Sequence, residues 1–142
     1  MAAVAVDYRV QGEGPPLYMV HGIGSRKVTW DGLMPQFTPY FTCVSYDLRG
    51  HGHSPVPTPP YSLDDLVEDL EALRVKLGHE QIHVVGHSLG GMIGPAYARA
   101  HPDRVSSLGL LSTAAGRSDD ERKKLFALIA QMEREGVAPV LD

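Results

Sequence analysis

The chain has 142 residues, the size of one ordinary domain, and 43% of them are hydrophobic, enough to build a core. Thirteen Lys and Arg stand against 17 Asp and Glu, a formal charge of −4 with the seven His neutral, and no basic run occurs. Neither a nucleic acid nor an anionic membrane is therefore an expected partner. The one cysteine, Cys43, excludes an internal disulfide framework and fits a reducing compartment. No stretch approaches the ~18 apolar residues of a membrane span, and the N-terminus reaches Asp7 and Arg9 too early for a signal peptide. A soluble, cytoplasmic protein is expected.

The alternation of Val4, Val6, Tyr8 and Val10 predicts a strand over 4–10 with one buried face, and Gln11–Pro16 is turn chemistry. Leu17–Val20 is an apolar run of the kind a strand buried on both faces shows, and it runs into His21-Gly22-Ile23-Gly24-Ser25. Trp30, Leu33, Met34 and Phe37 recur at helical spacing, with Pro35 restricting that helix to a start just before it. Thr42–Tyr46 reads as the next strand and Asp47–Ser54 as a glycine-rich turn. Three prolines make 56–60 a loop.

Ser62 and Asp65 form a capping-box pair in front of a helix whose stripe is Leu63, Leu66, Val67, Leu70, Leu73 and Leu77, and Gly78 stops it. Then come a buried strand at Ile82–Val85, a helix over Gly90–Ala100 and a strand over Val105–Leu111. A last helix is framed by Ser118, Glu121 and Gly136, with Leu125, Phe126, Leu128, Ile129 and Met132 on one face and no strand after it. Strands alternating with helices predict an α/β fold, a mostly parallel sheet with helices on both faces, and sites at the carboxyl ends of the strands.

Gly86-His87-Ser88-Leu89-Gly90 matches G-x-S-x-G, and it sits where that motif has chemical meaning, directly after a strand and opening a helix. A sharp reversal there leaves the serine strained, and side chains at positions 86 and 90 would meet neighbouring backbone. Ser88 is the candidate nucleophile. The N–H groups of Ile23 and Leu89 are candidate oxyanion donors, with Gly22, Gly24, Gly86 and Gly90 shaping the two loops. A phosphate-binding loop would require a Lys that is absent here.

His51 and His53 stand near Asp47, but a zinc site requires three or four ligands. Gly50 and Gly52 instead suggest a turn in which Asp47 and Arg49 bond local backbone. No metal and no cofactor is expected. His87 is expected to be packed or hydrogen-bonded rather than to act as base, His21 to brace its own loop, Cys43 to be an inert buried thiol, and His79, His83 and His101 to lie away from the site. Trp30 and Met92 are candidates for touching the pocket or for core packing.

HGIG at 21–24, DLRGHGHS at 47–54, GHSLGG at 86–91 and AHPDRV at 100–105 together resemble the α/β-hydrolase superfamily. Within it, 47–115 is most similar to the 3-oxoadipate enol-lactonase-like and small-ester hydrolase branch, through YSLDDL at 61–66 and LLSTAA at 110–115. The resemblance implies a cofactor-free serine hydrolase acting on a small ester, lactone or related carbonyl substrate. Haloalkane dehalogenases and epoxide hydrolases are similar too, but use Asp where this chain has Ser88.

The superfamily order of nucleophile, acid, then His places the last two after later strands. No His follows His101, and Asp119 and Asp120 open a surface helix. The chain is therefore expected to be the N-terminal half of a longer protein, with 1–116 belonging to the hydrolase core and 117–142 beginning a cap over the site. The alternative on the same fold is a small-molecule receptor with little or slow turnover. The sequence leaves the oligomeric state and the substrate's identity open.

Overall fold

The structure, a computed structural model, describes residues 2–114 and 116–136. Ala115 of the LLSTAA string and residues 137–142, where no strand is expected, lie outside the described residues. Among the described residues five strands form one sheet: β1 (Tyr8–Gln11), β2 (Pro16–Val20), β3 (Thr42–Tyr46), β4 (Ile82–His87) and β5 (Val105–Leu111), in the order β1-β3-β2-β4-β5. β1 runs antiparallel to β3, and every other pairing is parallel. The helices are α1 (Met34–Phe37), α2 (Leu63–Leu77), α3 (Gly90–Ala100) and α4 (Asp119–Glu135).

The sheet is covered on both faces because its central strands are apolar on both. Tyr18 and Val20 of β2, Val44 and Tyr46 of β3, and Val84 of β4 point to one side, where Leu66, Val67, Leu70 and Leu73 of α2 and Ile93 and Tyr97 of α3 meet them. Leu17, Met19 and Cys43 point to the other, against Trp30 and Met34. Successive strand residues face opposite ways, so one four-residue apolar run supplies both layers.

Helix α2 begins with the expected capping box: the Ser62 hydroxyl accepts from Asp65 N–H at 3.1 Å, and the Asp65 carboxylate accepts from Ser62 N–H at 2.8 Å. Gly78 ends it in the left-handed region at φ 74°. Ser62→Ala is expected to lower stability by about 1 kcal/mol, readable as a drop in the urea midpoint. Leu63 departs from its predicted stripe; it is exposed and lines a pocket rather than the core.

A second polar element fixes α2 to α3. Glu71 accepts from Arg74 Nε at 2.9 Å and from the Tyr97 hydroxyl at 2.7 Å. The Arg74 guanidinium, with the Tyr97 hydroxyl, pulls the Glu71 carboxyl down from 4.5 to about 2. The unfolded chain binds that proton first as pH falls. The stabilisation is complete above about pH 4.5 and is lost on descending toward pH 2. Glu71→Gln is expected to flatten the melting temperature against pH over that window.

β2 begins one residue early at Pro16 and β4 runs two residues on, to His87; two further elements shift more. The ladder of β1 begins at Tyr8 rather than Val4, because Val4 N–H donates to Asp69 Oδ1 at 2.8 Å and Val6 packs in the core. The segment containing Trp30 is a 3-10 helix, Lys27–Leu33, with only Met34–Phe37 α-helical, since Pro35 fits just the first turn of the latter. In α4, Phe126, Leu128 and Ile129 are exposed, Leu125 and Met132 are half-buried and no residue is buried, so the apolar face read from the sequence joins neither core. No helix among the described residues is long and apolar enough to cross a membrane.

Candidate active site

Parallel pairing brings the carboxyl ends of β2, β3, β4 and β5 to one edge of the sheet, and four loops meet there. The chain leaves β4 at His87 and enters α3 at Gly90, with Ser88 between them at φ 53°, a conformation costly for a residue with a Cβ. Its N–H donates to Leu111 O of β5 at 3.0 Å, and its carbonyl accepts from Gly91 N–H at 2.9 Å and Thr113 Oγ1 at 3.0 Å. Strain at Ser88 is thus held from both sides.

The glycines are there for backbone contact. A Cβ at Gly90 would stand 2.0 Å from Val20 O, and one at Gly86 would stand 2.1 Å from Gly90 O. A Cβ at Gly22 would come within 3.1 Å of Ser88 Cβ. The serine turn and the 21–24 loop are pressed together main chain to main chain.

The 21–24 loop is clamped by two histidines. Buried His21 accepts Leu48 N–H at Nε2, 3.0 Å away, and so donates from Nδ1 to Gly22 O at 2.7 Å. Burial lowers its pKa and keeps the ring neutral, as that pattern requires. His51 accepts Gly24 N–H at Nε2 over 2.9 Å and bonds Arg49 O through Nδ1 at 3.0 Å. Between the two clamped glycines, Ile23 N–H has no acceptor among the described residues, and neither does Leu89 N–H at the start of α3. Ile23, Ser88 and Leu89 line one cleft of about 370 Å³ with Met92, Ser112, Thr113, Ala114 and Arg117. Unspent donors at a helix N-terminus beside a hydroxyl suit a developing oxyanion.

The 47–54 turn is structural, and more ionic than expected. Asp47 accepts from Lys27 N–H at 2.7 Å and His53 N–H at 2.9 Å, and its carboxylate pairs with the buried Lys27 ammonium at 3.0 Å. Lys27 also pairs with Asp7. Burial opposes ionisation of Asp47, but these bonds outweigh it and hold the carboxyl below its usual range. Arg49 does not follow the expectation of local backbone bonds. Its Nε and Nη2 reach Asp69 of α2 at 2.7 and 2.8 Å, both side chains fully buried. That partner lies 20 residues away, and no local pattern announces it.

Other expectations divide. His87 is exposed, its side chain makes no hydrogen bond among the described residues, and it lines a separate cavity with Trp30 and Leu33. Trp30 belongs to the core, whereas Met92 lines the cleft. Cys43 is buried, and burial raises its thiol pKa. His79 bonds the Tyr18 hydroxyl, His83 bonds Ser107 and His101 packs on Tyr97, none of them on the cleft. Among the described residues the Ser88 hydroxyl has no hydrogen-bond partner, and no three of His, Cys, Asp and Glu gather as metal ligands. Sequence reading missed Ser112, Thr113 and Arg117. Their position just past the carboxyl end of β5, beside the end of β4, was the available signal.

A strained serine between a parallel strand and a helix, on one cleft with the loop that follows the neighbouring strand, has the strand–turn–helix setting of the G-x-S-x-G motif. The chain belongs to the alpha/beta hydrolase fold family, whose profile matches residues 15–141. An enol-lactonase from Burkholderia xenovorans LB400 superposes with a TM-score of 0.84 at 29% identity, over 98% of this chain and 55% of that one. A pimeloyl-acyl-carrier-protein methyl ester esterase of Aeromonas hydrophila is 37% identical over 98 residues, 68% of this chain and 37% of that protein. A fluoroacetate dehalogenase of Burkholderia sp is 38% identical over 113 residues, 76% of this chain and 37% of that protein. The chain thus spans about half the length of the solved structure and little more than a third of these curated relatives.

Proposed function

We propose that the full-length protein is a serine hydrolase of small esters, lactones or related carbonyl compounds, with Ser88 as nucleophile. The carrying observation is Ser88 at φ 53° in one cleft with the unpartnered N–H groups of Ile23 and Leu89. Esterases and an enol-lactonase among its relatives support the substrate class.

In this reading the Ser88 oxygen adds to the carbonyl carbon while a base takes its proton, and the two N–H groups hold the oxyanion. Collapse expels the alcohol, which takes that proton back. Water, deprotonated by the same base, then releases the acid and restores the serine. No histidine or carboxylate among the described residues lines the cleft, so base and acid are assigned to chain beyond this one, which is read as the N-terminal half of the hydrolase. Exposed Leu108, Leu110 and Leu111 on β5, an edge strand of the sheet, fit further strands adding there, and uncovered α4 fits the start of a cap.

Fluorophosphonate labelling of the full-length protein, mapped by mass spectrometry with Ser88→Ala as control, tests this reading. Adduct on Ser88 is expected; a protein that stays unlabelled and hydrolyses no ester or lactone removes it. A receptor on the same fold would show ligand binding that survives Ser88→Ala and no product.

A further inference from the structure

We infer that Arg117 is the specificity-determining residue of this cleft and that it selects substrates carrying a carboxylate on the acyl side, the half-esters or lactones of short dicarboxylic acids. The inference rests on the reading of Ser88 given above. Arg117 lies in the connector between β5 and α4, on the same cleft as Ser88. The other lining residues are Ile23, Ser88, Leu89, Met92, Ser112, Thr113 and Ala114, so Arg117 brings the cleft's sole charge among the described residues.

Its guanidinium is exposed and makes no ion pair among the described residues. Glu121 feels its charge from beyond ion-pair distance, and the Glu121 Oε2 accepts from Ser118 N–H at 2.8 Å and from the Ser118 hydroxyl at 3.0 Å in the α4 cap. A second pocket of about 290 Å³ adjoins the first through Ile23, Leu89 and Met92; it contains Arg49, already committed to Asp69, and is otherwise mostly apolar. A substrate anion entering from either side therefore finds one available cation. The chain's charge of −4 makes that local cation matter more, since an anionic substrate is otherwise repelled. A planar five-donor fork is also the group best matched to a carboxylate.

The test uses the full-length protein and two esters that differ in one group: p-nitrophenyl pentanoate, and mono-p-nitrophenyl glutarate, in which a carboxylate replaces the terminal methyl. Wild type is expected to favour the glutarate ester in kcat/KM by about tenfold or more. Arg117→Gln is expected to bring the ratio toward one, and Arg117→Lys to restore part of it. Raising the salt to about 0.5 M should shrink the wild-type preference, as for any exposed charge contact. An equal ratio in wild type and Arg117→Gln overturns the inference while leaving Ser88 untouched. If neither ester turns over and fluorophosphonate fails to label, the nucleophile assignment falls by itself. Calorimetric titration with monomethyl glutarate then still decides on Arg117: binding lost in Arg117→Gln upholds its role, and binding absent or unchanged refutes it.

Discussion

Replacing Ser88 by Ala in the full-length protein is expected to lower kcat/KM for an ester by at least about 10³-fold while leaving the fold in place. In the proposed mechanism the residual rate is the share carried by the Ile23 and Leu89 N–H groups and by binding, which the substitution does not touch. The fold should survive because alanine shares serine's Cβ and meets the same left-handed backbone at φ 53°. The bonds that hold the turn, from Ser88 N–H to Leu111 O and from Thr113 Oγ1 to Ser88 O, use only the main chain of residue 88 and remain. Steady-state kinetics with a melting curve on the same preparation checks both halves. Unchanged turnover would remove Ser88 from the chemistry, and a collapsed melting curve would make the kinetic loss uninformative about catalysis.

The largest stability effect is expected at Arg49. Its Nε and Nη2 hold Asp69 at 2.7 and 2.8 Å, and neither side chain is exposed by more than 1%. Arg49→Met takes the guanidinium away and leaves the Asp69 carboxylate buried, still accepting from Val4 N–H at 2.8 Å. Breaking a buried pair from one side costs about 3–5 kcal/mol, because the orphaned charge stays out of water. The melting temperature should fall by on the order of 10–20 °C. The double variant Arg49→Met, Asp69→Leu should recover much of that loss, since an apolar pair of similar volume carries no stranded charge. A double variant no better than the single one would place the energy in the packing around position 49 rather than in the ion pair.

Sequence pattern and structure agree where one short segment determines its own environment. The run Leu17–Val20 is apolar at each position and becomes a strand buried on both faces. Ser62 and Asp65 satisfy each other's N–H and open α2 at the expected residue. The Gly86–Gly90 turn was legible for the same reason, because its strand, turn and helix are contiguous.

Agreement fails where the controlling contact is distant. Val4 leaves the predicted strand because its N–H goes to Asp69, 65 residues on. Arg49 faces α2 rather than its own turn because a carboxylate there outcompetes local carbonyls. Ser112 and Thr113 join the cleft only because β5 pairs beside β4, and nothing within LLST itself marks them. Trp30 reads as helical because the apolar spacing persists through a 3-10 segment, where the main-chain bonding differs but the buried face does not.

The 2.0 Å that would separate a Gly90 Cβ from Val20 O has a consequence for how such a site can diversify. Where main chain lies on main chain, no side chain intervenes whose size or charge substitution could adjust. The relation between the serine and the N–H groups of the 21–24 loop is therefore fixed as a single unit, available whole or destroyed. Variation that preserves chemistry has to enter through positions whose side chains project into the cleft, such as Met92, Ala114 and Arg117. On the proposed reading, the placement of Ser88 against the oxyanion donors is set by backbone, and selectivity by the side chains at the rim.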